Sequence, residues 1–428
     1  MTWEFRTEPD FEEKLRWARA FVRDEVMALE VLDLDDAGLG KLIRPLQEEV
    51  RKQGLWAVFL PPHLGGSGWG QVKMALLSEV LGEALWAPAV FGSRAPDSGN
   101  AELLAIGATA RQRDRYLRPL LDGEIRSCFA MTEPDAGSDP ARITTTARPD
   151  GDGWLISGHK WFASNASVAE FLLVMCVTDR DAPSRKGQSI FLVPRGTPGL
   201  TVVRNIPALD DHNPYFHAPQ PDQHAEVLLE DVRVTRENLV GELGQGWELA
   251  QARLGPGRIH HCMRWIGQAN RAFRMLCERA VSREAGGSRL ADKQLIQHYV
   301  AQSAAQMQAA RLMTLHAAWV IDTEGIEAAR TDISMIKFFG AQVLHDVIDR
   351  ALQVHGSLGY SADMPLEWMY RLARAARIYD GPDEIHESLV ARRLLRQFKP
   401  VQVPSEHIPT RGLAAERRLG AAATQVRA

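Results

Sequence analysis

The sequence predicts an α+β multidomain protein: an N-terminal helical domain, a central β-barrel-like domain and a C-terminal helical bundle. Three observations predict it. Helical spacing runs to about Ile125, short β-type segments follow, and helical spacing returns from Leu243. The boundaries read as 1–125, 126–236 and 237–398, with an extended tail at 399–428.

In the first block, Phe11, Leu15, Ala18, Phe21, Val22 and Val26 form one stripe near a 3.6-residue period, the mark of an amphipathic helix. PPHLGGSGWG, at 61–70, interrupts it with Pro and Gly, and QVKMALLSEVLGEALW resumes helical spacing. The second block holds SCFAMT, GWLISGHKWFAS, EFLLVMCVT, QSIFLVP, LTVVRNI and AEVLLEDVRV. These runs are rich in Val, Ile, Phe and Thr and are bounded by Gly, Pro and Asp, as strands are. PDGDGW, at 149–154, reads as a turn. In the third block, residues 293–323 carry few charges, which predicts a long helix buried on several sides, in a bundle or a subunit interface. Two more helices are expected around 326–355 and 364–378. The Pro-, Arg- and Ala-rich tail is expected to be partly disordered.

Composition narrows the function classes. Hydrophobic residues make up 45% and charged residues 24% of 428, an ordinary globular balance. The net charge of −4 offers no electrostatic case for nucleic acid or an anionic membrane. Cys128, Cys176, Cys262 and Cys277 contain no CxxC pair, which predicts neither a metal site nor a disulfide framework and fits a reducing cytosol. The acidic start MTWEFRTEPDFEEKL has no apolar core, so no signal peptide is expected. No apolar run approaches a membrane span, and a cytoplasmic location is expected.

Four motifs carry chemistry. In CFAMTEPDAGSDPARITTTA, at 128–147, a strand delivers Met131 and Thr132 to a turn of Pro134, Asp135, Ala136, Gly137 and Ser138. Amides and hydroxyls at such a turn suit the edge of a flat heteroaromatic ring and a phosphate, although alone it is a β-turn. In GHKWFASN, at 158–165, Trp161 and Phe162 precede Ser164. Aromatics beside a hydroxyl can pack on a ring and bond its polar edge, although alone this is a half-buried strand. In QVHGSLGY, at 353–360, Gly356 and Gly359 permit close approach or positive φ, although alone this is a glycine-capped helix end. In IYDGPDEIHE, at 378–387, Asp380 hangs on a turn before a helix that starts with Asp383, Glu384 and Glu387. Acidic residues favour a helix N-terminus, and a lone aspartate there is commonly a cap.

These motifs, in this order and within this layout, resemble the acyl-CoA dehydrogenase flavoprotein family over residues 10–398. RLGPGRIHHCMR, at 253–264, and YDGPDEIH resemble the subgroup of family members ten and eleven of animals. The resemblance implies an acyl-CoA dehydrogenase-like fold that binds FAD, assembled as a homodimer or homotetramer. It implies flavin contacts at Phe129, Met131, Thr132, Gly137, Ser138, Pro382 and Glu384, with Phe162 and Ser164 at the flavin's reactive region. Arg283 would reach a neighbouring subunit's FAD pyrophosphate, and Gln353, Gly356 and Ser357 would meet FAD across the same interface. After that arginine the family commonly has Phe-Gly, where this chain has Gly286-Gly287. Ser138, Gly255, Arg258 and Gly381 fall on substrate contacts, Arg258 orienting the base or the substrate.

Asp380 falls where many members carry a catalytic glutamate. The implied reaction is α,β-dehydrogenation of an acyl-CoA to a trans-2-enoyl-CoA, in fatty acid metabolism, with electrons passed to an electron-transfer flavoprotein. A base takes the α-proton as hydride leaves the β-carbon, and two donors to the thioester carbonyl, a backbone amide and the flavin ribitol, stabilise the charge that develops. Aspartate is one methylene shorter than glutamate, which predicts a shifted backbone or a differently placed substrate. Some relatives mount the base near residue 257, which is glycine here. Two alternatives stand: a flavin oxidase such as a nitroalkane oxidase, which carries aspartate at the matching position, and a non-catalytic acyl-CoA- or flavin-binding protein.

His260 and His261 are about 100° apart on a helix, which disfavours joint chelation and predicts packing, or pocket lining for one of them. His212, His217 and His224 lie in a Pro-rich loop that reads as a lid or specificity element rather than a metal site.

Overall fold

The structure, a computed structural model, describes residues 7–400 other than 33, 35, 61, 65, 184 and 210–222, together with 417, 419 and 420. His212 and His217 of the expected lid, and nearly all of the tail beyond Pro400, lie outside the described residues. The chain divides into two compact units, Met1–Glu387 and Ser388–Ala428.

The first unit opens with helices α1 (Pro9–Phe21), α2 (Asp36–Lys52), α3 (Gly70–Leu81) and α4 (Asp97–Gly107). Phe11, Leu15, Ala18, Val22 and Val26 of the expected stripe are buried, although the last turns change pitch, to a π turn at Val22–Val26 and a 3-10 turn at Met27–Val31. Eight strands follow: β1 (Ser127–Ala130), β2 (Thr146–Asp150), β3 (Gly153–Ser164), β4 (Phe171–Val177), β5 (Gln188–Pro194), β6 (Leu200–Asn205), β7 (His224–Thr235) and β8 (Leu239–Val240).

Seven strands run in the order β6-β7-β3-β2-β4-β5-β8, and β1 pairs in parallel with β4. The sheet is barrel-like without closing: β6 and β8 are its two ends among the described residues. β6 is exposed along most of its length, and among the described residues it pairs with β7 alone. By contrast β4 and β5 are buried on both faces. Leu172, Val174 and Cys176 join Phe191 and Val193 in one layer, while Phe171, Leu173 and Met175 join Ile190 and Leu192 in the other. Successive strand residues point to opposite faces, so a strand covered on both sides reads as the unbroken apolar run FLLVMCV.

The second helical block comprises α5 (Gly246–Ser282), α6 (Gln294–Glu324), α7 (Arg330–His355), α8 (Leu366–Ala375) and α9 (Asp383–Leu395). It does not keep a core of its own: Leu15, Met74 and Leu77 of the first helices share one cluster with Ile266, Leu315, Ile333 and Leu344. The crossing of α3 and α5 explains why. A Cβ on Gly82 would lie 2.1 Å from the Arg264 carbonyl oxygen, and one on Gly267 2.1 Å from that of Glu79, so the two backbones meet where neither has a side chain. Strongly charged ties cross the same seam, including Arg271 to Glu30 at 2.7 Å and Arg311 to Glu79 at 2.9 Å. Among the described residues no helix is long and apolar enough to cross a membrane.

Candidate active site

After α8 the chain passes through Ala376–Tyr379 and then takes two successive positive φ angles, 56° at Asp380 and 97° at Gly381. A non-glycine residue there carries strain of order 1 kcal/mol or more, which the surroundings must hold. Arg258, on α5, donates from Nε at 3.1 Å and Nη2 at 2.9 Å to the Asp380 carbonyl oxygen. His386, in the first turns of α9, donates from Nε2 to the same oxygen at 3.1 Å. Arg258 therefore holds Asp380 through its backbone. Its buried cation also faces the carboxylate.

The turn is anchored from below. Asp383 is almost fully buried, accepts from Arg377 Nε at 2.7 Å, and has Oδ1 3.9 Å from Lys337 Nζ. Lys337 Nζ donates to the Ala376 carbonyl at 2.7 Å. A residue that passes in the sequence for an ordinary helix-start acid is thus part of the frame holding Asp380.

The Asp380 side chain keeps 21% of its exposure, and its Oδ2 lies 3.6 Å from His261 Nε2. Burial alone would raise its pKa. The charges of His261, Arg258, Arg253 and Lys337 outweigh burial and leave it below 3.8, so the group is ionised at neutral pH. Arg253 donates from Nε to Asn100 Oδ1 at 3.0 Å and stacks 4.4 Å above the Phe129 ring, joining α4 and β1 to the surroundings of Asp380. Glu102, on α4, is pushed up to about 8 by burial, with Arg253 opposing. The two adjacent histidines separate as the helical angle requires: His260 is buried against Gln71, and His261 faces Asp380.

A second cluster forms where β1 ends. Glu133, buried, accepts from Thr144 N and Oγ1 at 2.7 Å each, from Thr145 N at 2.9 Å and from Lys160 Nζ at 2.9 Å. Lys160 also donates to the Met131 carbonyl at 2.9 Å, and Trp161 N to that of Thr132 at 2.9 Å. Burial would raise the Glu133 carboxyl; Lys160 and the threonine donors bring it to about 2 instead. This knot fixes the turn from Pro134 to Ser138, whose Gly137 and Ser138 are exposed with open space above Gly137.

Phe162 stands at φ 51° and is 45% exposed, and beside it Trp161 Nε1 is buried without a partner among the described residues. An uncovered aromatic face with a buried indole donor and a held, exposed turn fits a flat heteroaromatic group such as a flavin. Ser164 Oγ is engaged by His224 Nδ1 at 2.8 Å, and the His224 ring lies 5.4 Å from that of Phe162.

The other expected site residues are placed as follows. Arg283, Gln353, Gly356 and Ser357 are exposed, and among the described residues no hydrogen bond or ion pair ties them to Asp380 or to the Glu133 knot. Pro382 accepts from Ile385 N at 3.0 Å, while Glu384 is exposed on α9. A Cβ on Gly255 would meet Ile326 Cδ1 at 2.2 Å, which gives this glycine a packing reason. Lys337 and Glu102 carried no motif signal, and Arg253 lay in a quoted motif without a role assigned to it. Their one trace is a charge set in an apolar stripe, as Lys337 is between Ile333, Ile336 and Ala341.

Gly381 offers a direct probe. A Cβ there would lie 2.9 Å from His386 Nε2, at a φ that L residues avoid. Gly381→Ala is expected to displace His386 or the turn and lower kcat on the order of a hundredfold, with a stability loss of about 1–3 kcal/mol by urea unfolding. Parental kcat in a folded variant would show that the turn need not be held this way.

Helices thus flank an open sheet, and an ionised carboxylate is clamped ahead of the last helix. Models of the acyl-CoA dehydrogenase N-terminal, middle and C-terminal domains match residues 9–124, 128–213 and 244–395. The chain belongs to the acyl-CoA dehydrogenase family. It is 44% identical over 362 residues to "Probable acyl-CoA dehydrogenase FadE2" of Mycobacterium tuberculosis, across 84% of this chain and 86% of that one. It is 41% identical over 374 residues to "Acyl-CoA dehydrogenase family member 10" of mouse, across 85% of this chain but only 34% of that longer protein. A putative acyl-CoA dehydrogenase from Mycobacterium abscessus superposes with a TM-score of 0.86 at 37% identity, covering 92% of this chain and 100% of its own.

Proposed function

We propose that this chain is an FAD-dependent acyl-CoA dehydrogenase that converts an acyl-CoA thioester to a trans-2-enoyl-CoA, with Asp380 as the base. The observation that carries this is the Asp380 turn: an ionised carboxylate whose backbone is pinned by Arg258 and His386 while the carboxyl itself stays partly open. The Asp380 carboxylate takes the α-proton of the thioester. Arg253, Arg258 and Lys337 keep it charged until then, and the pinned carbonyl limits how far it can swing. The amide N–H of Asp380 has no partner among the described residues, so it is free to donate to the thioester carbonyl and stabilise the charge developing there. FAD, when bound, supplies the acceptor for the hydride that leaves the β-carbon. Phe129, Met131, Thr132, Phe162 and the turn ending at Ser138 would hold it on this subunit. The exposed Arg283, Gln353, Gly356 and Ser357 would serve a partner's FAD in a homodimer or homotetramer. Reduced protein would pass its electrons to an electron-transfer flavoprotein in the cytoplasm.

Anaerobic titration of the FAD-loaded protein with a panel of acyl-CoAs tests the reading. The oxidised flavin band should bleach with at least one thioester and yield the trans-2-enoyl product. A yellow, folded protein that none of them bleaches would refute it.

A further inference from the structure

We propose that His261 is a positioning residue for the base: its Nε2–H holds the Asp380 carboxylate in place and sets its ionisation. The inference deepens the reading of Asp380 as base and rests on it. Several cations surround that carboxylate, but most have their donors engaged elsewhere. Arg258 gives two donors to the Asp380 carbonyl, and His386 gives Nε2 to the same atom. Lys337, from α7, donates to Ala376. Arg253 donates through Nε to Asn100 on α4. Glu102, also on α4, faces the same Arg253. Among the described residues His261 is the cation-forming side chain with an atom within 4 Å of an Asp380 carboxylate oxygen.

The tautomer follows from its other side. Arg264 Nη2 lies 3.0 Å from His261 Nδ1, and a guanidinium can only donate. Nδ1 is therefore the acceptor, and the ring's proton sits on Nε2, the nitrogen that faces Asp380 Oδ2 at 3.6 Å. That is longer than a hydrogen bond. Contacts of this kind commonly tighten when substrate fills a site, and a small ring rotation would close this one. The ring is shelved by Tyr379 at 5.3 Å and Trp265 at 6.4 Å, with Trp265 Nε1 donating to the Tyr379 hydroxyl at 2.8 Å. With Arg264 on Nδ1, His261 cannot readily take the abstracted proton onward. It holds the base rather than relaying for it.

Two variants separate this from a packing role. His261→Phe keeps a ring against Tyr379 and Trp265 but loses the donor, whereas His261→Gln keeps a donor. The acid limb of kcat/KM should move up by about half to one pH unit in the Phe variant and by less than about 0.3 in the Gln variant. A second readout needs no turnover: the pH dependence of the stability difference between each protein and its Asp380→Asn counterpart. The folded pKa of Asp380 is depressed, so that difference is full above the ordinary value of 3.8 and vanishes as pH falls through the folded value. Losing the His261 donor moves the vanishing point upward. Movement in the Phe variant alone supports the proposal; an unmoved midpoint there, or equal movement in both variants, overturns it. Should the parent turn over no acyl-CoA, the dehydrogenase reading fails, while the stability midpoint still decides the role of His261.

Discussion

Asp380→Asn is expected to leave a folded protein that retains its flavin and turns over at about a thousandth of the parental rate or less, the typical worth of a positioned general base. The substitution keeps shape and backbone, so the Arg258 and His386 bonds to the carbonyl survive. What is lost is the negative charge among Arg253, Arg258 and Lys337, together with the acceptor that faces His261 Nε2. Those groups then repel without a counter-charge, and the Asn variant should also be less stable near neutral pH. The sign can be checked by titration. A depressed carboxyl pKa contributes stability above its unfolded value and loses it as pH falls through the folded one, so the two proteins should converge below about pH 3.8. Stopped-flow flavin reduction and urea unfolding at two pH values measure both effects. An Asn variant with parental flavin reduction would remove Asp380 from the chemistry.

The next largest effect is expected at the Glu133 knot, and it is an ordering of two variants. Glu133 and Lys160 have side chains 3% and 0% exposed and lie 2.9 Å apart. Removing one partner of such a pair costs about 3–5 kcal/mol. The two partners are not equivalent, however. Glu133→Ala strands Lys160 and four donors from Thr144 and Thr145 together, whereas Lys160→Met leaves the carboxylate with all four of those threonine donors. Glu133→Ala should therefore be the more destabilising in urea, and should lose flavin first, because the turn from Pro134 to Ser138 hangs from this residue. The parent's advantage over Glu133→Ala should fade as pH drops from the ordinary value of 4.5 toward about 2. A larger loss in Lys160→Met would show that the lysine, not the carboxylate, organises the turn.

Both predictions rest on residues that differ sharply in how visible they were beforehand. Asp380 and the turn after β1 stood out because Gly, Pro and acidic residues in short fixed order mark backbone that must reverse, and reversal is a local property. Strands β4 and β5 were visible as apolar runs for the same reason. Strand β2 was not: TARPD carries Pro149 and two charges, and it is held by pairing with β3 across Thr146↔Ser157 and Ala147↔Ile156 rather than by its own composition. Whether the barrel-like sheet closes was not legible either, since strand count and alternation do not say whether the first and last strands meet.

By itself the sequence determined the helix–sheet–helix order, the turn at Asp380 and the turn at Gly137, because each depends on periodicity or backbone preference within a few residues. Only the tertiary structure decided that Arg258 grips a carbonyl 122 residues away, that Asp383 is a buried anchor rather than a helix-start charge, and that Arg253, His261 and Lys337 converge on one carboxylate. Electrostatic partnership depends on distance and burial in three dimensions, and residues far apart in the chain carry no mark of either.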